Sequence, residues 1–231
     1  MEGQGWKGFF EARSVRKAWR LYAAPIAGES LLETGFRIGT GAVRACSPYN
    51  LVLGWQWKQG RSDGYVLGWF GVLLVGIVAM SAGSSGVVAL VVLGVAGVRL
   101  LDLYAYHFGV VMVDMRRQKE ELARDHFALI ERRIMFLLLD VGQAILCFGL
   151  VAQALARLWP SQFVFATSRG TQPQGTFDYI YMAWGQMLTV SSRFEPLTAG
   201  AEAVHMLTVG GGIVLIVMVL SYVISRVRPM A

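Results

Sequence analysis

The sequence is short of charge, cysteine and histidine. Only 16% of its 231 residues are charged against 55% hydrophobic, and the mean hydropathy is +0.50, a balance that one soluble domain has too little interior to hide. The two cysteines, Cys46 in the basic N-terminal part and Cys147 inside an apolar run, supply neither a disulfide framework nor a zinc spacing. His107, His126 and His205 are too scattered for a metal cluster. No nucleophile–His–Asp arrangement and no pair of catalytic carboxylates falls within one segment. These shortages argue against an enzyme and exclude a large soluble catalytic domain. The first 24 residues have no continuous apolar core, since Lys7, Arg13, Arg16, Lys17 and Arg20 interleave with aromatics. No secretory signal is therefore expected, and the N-terminus is read as cytoplasmic.

Long apolar runs are what the chain has in quantity. Residues 65–81, 86–107, 134–155 and 203–225 form runs of 17 to 23 residues, each able to cross a hydrocarbon core of about 30 Å as a helix. The expected fold is an all-α integral membrane protein with four transmembrane helices. With the N-terminus inside, seventeen of the 21 basic residues fall on the cytoplasmic side, three (Arg157, Arg169, Arg193) fall outside, and Arg99 lies within the second run. The net charge of +6 is thus read as a topology signal rather than as a nucleic-acid footprint. Both termini are expected in the cytoplasm, with the chain in the plasma (inner) membrane.

The organisation expected is a cytoplasmic amphipathic N-terminal region at 1–62, a two-helix membrane hairpin at 63–109, a charged linker helix at 110–133, a module at 134–226 and a tail at 227–231. Aromatic and basic residues interleave over 6–22, which suits helices lying at an anionic cytoplasmic leaflet, or packing on one another. Arg99 and Asp102 stand three apart on the second run and Asp140 lies in the third, so a buried structural ion pair is expected. Voltage sensing is not expected, because Arg99 has no arginines repeated at every third position.

The informative stretch lies between the third and fourth runs. Phe177, Ile180, Tyr181, Trp184, Met187 and Leu188 repeat at three and four, which marks a helix of about 12 residues, too short to cross. A short apolar helix between two spans, followed at once by polar residues and Pro196, is the pattern of a re-entrant helix. Within 134–226, about 40% of the chain, the order of features resembles the two-span pore-loop module of the potassium-channel superfamily. Asp178, Tyr181 and Trp184 stand in the pore-helix position, Thr189 and Val190 match the start of the filter, and Pro196 and Thr198 match the segment after it. Ser191, Ser192 and Arg193 replace the filter's Gly-Tyr-Gly, and Phe194 and Glu195 follow.

The resemblance implies a homotetramer with a pore lined by Thr189, Val190, Ser191, Ser192, Arg193, Phe194 and Glu195. It also implies a bending point at Gly210, Gly211 and Gly212 of the last span, although close helix packing explains those glycines more simply. The string Thr208–Gly212 looks filter-like but is rejected. It leaves 13 residues for the inner helix, about 20 Å at 1.5 Å per residue. The expected function is a channel subunit passing K+ or another monovalent cation, with no other cofactor. The alternative is a non-conducting membrane adaptor that keeps the scaffold and binds lipid or a cytoplasmic partner.

Overall fold

The computed structural model describes residues 34–35, 38–39, 59–83, 85–109, 126–190 and 192–227. Most of the N-terminal region, most of the charged linker and Ser191 lie outside these, and with them the reading of surface-lying N-terminal helices. The described elements run α1 (Gln59–Ser81), α2 (Gly86–Gly109), α3 (His126–Leu158), β1 (Phe165–Ala166), α4 (Thr176–Met187), β2 (Glu195–Pro196) and α5 (Ala199–Val227). Four of the helices are long and apolar enough to cross a membrane, over Gly64–Ser81, Gly86–His107, Met135–Leu158 and Ala199–Met218. The chain is an all-α membrane protein, and its strands are two residues each.

Local chemistry sets the boundaries. α1 ends in a turn through Gly83, whose φ of 75° suits a residue without a Cβ. The Ser85 carbonyl then accepts the Val88 and Ala89 amides and opens α2. α3 stops before Pro160, since the residue preceding a proline is disfavoured in helical conformation. α5 opens where the Glu202 amide donates to the Thr198 carbonyl at 2.9 Å. Glu202 itself lies in the first turn, where its charge suits the positive helix end. Three helix starts differ from expectation: α1 begins at Gln59, inside the expected N-terminal region, α3 begins at His126, so residues 126–133 of the expected linker belong to the spanning helix, and α5 begins at Ala199.

Chain contacts define two units, Met1–Tyr65 with Leu101–His126, and Val66–Leu100 with Phe127–Ala231. In the first, the Tyr65 hydroxyl donates to Asp102 Oδ2 at 2.6 Å. The second contains a core in which Leu73, Ile77 and Met80 of α1 meet Ala89, Val92 and Ala96 of α2 and Cys147, Leu150 and Ala154 of α3. Spacing at three and four puts each set on one helix face, and the alanines let the backbones approach. The opposite faces are apolar and exposed, as at Leu74, Val75 and Val78 of α1 and Val87, Leu90 and Val91 of α2. That arrangement suits helices whose solvent is lipid.

Arg99 is buried and reaches across to α3, where Nη2 lies 3.3 Å from Asp140 Oδ1 and Nε donates to Gln143 Oε1 at 2.8 Å. The Gln143 amide donates in turn to the Val66 carbonyl at 2.8 Å, and the guanidinium lies 5.5 Å from the Trp69 ring centroid. The buried pair expected of Arg99 is thus an interhelical one with Asp140, joined by a glutamine that satisfies both charge and backbone.

Candidate functional site

The segment from Gly175 to Thr198 is built as a descent, a turn and a return. Gly175 caps the start of α4 without a side chain, so Asp178 reaches back instead, its Oδ2 accepting the Gln174 amide at 2.9 Å and the Gly175 amide at 3.4 Å. A carboxylate there also suits the positive end of the helix dipole. Next to this cap, the buried Thr176 hydroxyl accepts from Ser81 at the end of α1, at 2.9 Å, and from Gln153 Nε2 of α3, at 3.1 Å. Arg157 donates to the Met80 carbonyl at 2.6 Å, which ties the end of α3 to the end of α1. Burial pushes the Tyr179 phenol above its ordinary value, with the Arg157 cation opposing and the Asp178 carboxylate reinforcing.

Two glycines let α4 sit between α3 and α5. A Cβ on Gly149 would lie 2.8 Å from Ile180 Cα, and one on Gly212 would lie 2.7 Å from Met187 Cα and collide with the Met187 carbonyl. Gly212 is therefore a packing glycine. A Cβ on Gly210 would meet nothing within 4 Å, and α5 is helical through all three glycines. Because Gly212 lies thirteen residues beyond Ala199, the tip of α4 meets α5 about 20 Å along that helix, at 1.5 Å per residue.

The turn at the tip is a C-terminal cap. The Val190 amide donates to the Gly185 carbonyl at 2.9 Å and the Thr189 amide to the Gln186 carbonyl at 3.2 Å, the paired bonds of a Schellman motif. Thr189 occupies its left-handed position with φ 55°, where glycine is usual and a β-branched residue is strained. The chain then rises. The Ser192 hydroxyl accepts the Phe194 amide at 3.2 Å and donates to the Phe194 carbonyl at 3.0 Å. Phe194 is 4% exposed and packs among Ala152, Phe165, Met182, Ala201 and Val204. Its ring belongs to the core.

β2 pairs antiparallel with β1, Phe165 opposite Pro196 and Ala166 opposite Glu195. The Thr198 hydroxyl fastens the same corner, donating to the Gln162 carbonyl at 2.6 Å and accepting the Val164 amide at 3.2 Å. Thr189, Val190, Arg193 and Glu195 are exposed. Tyr181 and Trp184 are exposed on α4 with ring centroids 5.8 Å apart.

Gln153, Gln186 and His205 each bury a side-chain atom, Oε1, Nε2 and Nδ1, with no hydrogen-bond partner, and the two glutamines were not singled out from sequence. A polar residue inside an apolar run was the available signal for Gln153. Among the described residues no three of His, Cys, Asp and Glu gather as a metal site. Compared with protein families, curated proteins and solved structures, the chain matches none.

Proposed function

We propose that the chain is a subunit of a homotetrameric pore-loop channel for monovalent cations, lying in the plasma (inner) membrane with both termini cytoplasmic. The descent and return of residues 175–198 carries the reading. A 12-residue helix leaves the ends of α1 and α3, meets α5 about 20 Å along its length and is followed by a chain that turns back at once. Backbone of that kind is tolerated at membrane depth only where protein or a water path surrounds it. The partially negative C-terminal end of α4 then favours a cation beyond the tip. Arg193 and Glu195, exposed on the rising limb, set the charge of the outer mouth. The exposed rings of Phe177, Tyr181 and Trp184 give neighbouring subunits an apolar face to cover.

Full-length protein in liposomes is expected to pass K+, and Arg193→Gly is expected to change conductance or selectivity by removing a cation from the mouth. Flux equal to that of empty liposomes for both forms, and for the Val190 variants described below, would sink the proposal. A second reading, a membrane adaptor that keeps this scaffold without conducting, is favoured by the closed Ser192–Phe194 turn, which stands where a filter would be extended. A stoichiometric partner co-purifying with a chain that stays silent in its presence would decide for the adaptor.

A further inference from the structure

We propose that the barrier to ions in this pore is a ring of Val190 side chains rather than a column of backbone carbonyls, so that the pore opens and closes by wetting. The inference rests on the channel reading above and concerns what fills the narrowest part.

A carbonyl filter needs successive oxygens aimed away from their own pore helix, toward the ion. Val190 has the opposite disposition. A Cβ on Gly185 would lie 3.5 Å from the Val190 carbonyl oxygen and 3.4 Å from Ser192 Cα, so that oxygen faces back onto α4. The Schellman bonds hold the two preceding peptides against the helix, because the amides of Thr189 and Val190 are both held by carbonyls of the last turn of α4. The residue that turns the chain is a threonine at φ 55°, which sets the direction in which Val190 leaves the helix.

The side chains sort accordingly. The Ser192 hydroxyl is closed on the Phe194 backbone, and the Phe194 ring is in the core. Arg193 and Glu195 are exposed, but they lie on the rising limb where β2 pairs with β1. Among the described residues of the turn the exposed side chains are Thr189 and the Val190 isopropyl group, the latter 52% exposed. Farther along α5, past the level of the tip, Ile213 and Val217 are exposed too, so that helix also offers an apolar surface there. Four isopropyl groups converging on an axis give an ion no ligand to replace the water it sheds, and a narrow apolar ring empties of water unless it widens. Such a barrier acts on hydration, so it separates K+ from Na+ weakly.

The test is flux of K+ and of Na+ through liposomes holding the full-length wild type, Val190→Thr or Val190→Ile. Threonine keeps the shape of valine and exchanges a methyl for a hydroxyl, so the turn is preserved. Val190→Thr is expected to raise both fluxes by about tenfold or more, alike for the two ions, and Val190→Ile to lower them. A silent wild type that begins to conduct on Val190→Thr is the same result from a fully closed gate. If the wild type conducts and both variants stay within about twofold of it, the proposal is overturned while the channel reading stands. A strong preference for K+ over Na+ that survives Val190→Thr overturns it equally. Absence of flux in all three forms and in Arg193→Gly overturns the channel reading beneath it.

Discussion

Where Arg99 crosses from α2 to α3, side chains answer side chains. A guanidinium meets a carboxylate, an amide and an aromatic face, and the amide passes the contact on to a backbone carbonyl. At the tip of α4 main chain takes that part: two amides fold onto two carbonyls, the Ser192 hydroxyl closes on the Phe194 backbone, and the side chains of Thr189 and Val190 are left outside. The first arrangement spends its polar chemistry on holding helices together. The second holds its own shape with main chain and leaves a surface for something else to meet. Alike in being enclosed by apolar helices, the two regions differ in what a substitution removes.

The largest effect is expected at the ion pair. Asp140→Leu takes a carboxylate away from the buried Arg99 guanidinium and should lower stability by about 3–5 kcal/mol, whereas joining it to Arg99→Met should restore most of the loss. Thermal unfolding of the purified protein in detergent measures both. A single variant as stable as the wild type would mean that Arg99 is not a lock.

A smaller effect separates neighbouring glycines of α5. Gly212→Ala pushes a methyl into the Met187 backbone and should cost about 1–3 kcal/mol. Gly210→Ala meets open space and should gain about 0.5–1 kcal/mol through helix propensity. Equal melting temperatures for the two would break the account of how α4 is seated.

The smallest effect belongs to the tip. Thr189→Gly removes a Cβ from a left-handed residue and should raise stability by about 1 kcal/mol, read as a higher melting temperature. A fall instead would show that the threonine side chain holds the turn through contacts of its own.

The spans and the 12-residue helix were legible because periodicity is local: apolar residues at three and four mark a face whatever that face meets. The start of α3 was not, since residues 126–133 carry charge and read as linker, yet they continue the helix of the span. Nor was the reach of Arg99 across to α3, since only the packing of α2 on α3 brings Asp140 within 3.3 Å of the guanidinium. The seat of the Phe194 ring was hidden for a related reason, since nothing local announces that it packs between Phe165 and Ala201. Strands of two residues carry no alternation to read.

The pairing of β1 with β2 makes residues 167–194 a loop drawn shut at its neck. Chain length within that loop is consequently not equivalent on its two limbs. From Thr171 to Gly175 the chain is largely exposed, and added residues there would bulge outward at the small entropic expense of a longer loop. From Thr176 to Phe194 the count is fixed at both ends, by Gly212 against Met187 and by the Phe194 ring in its socket. One residue gained or lost there shifts the tip along α5 or unseats the ring. The neck thus works as a depth stop, and insertions can accumulate on the approach to α4 while the return limb keeps its length.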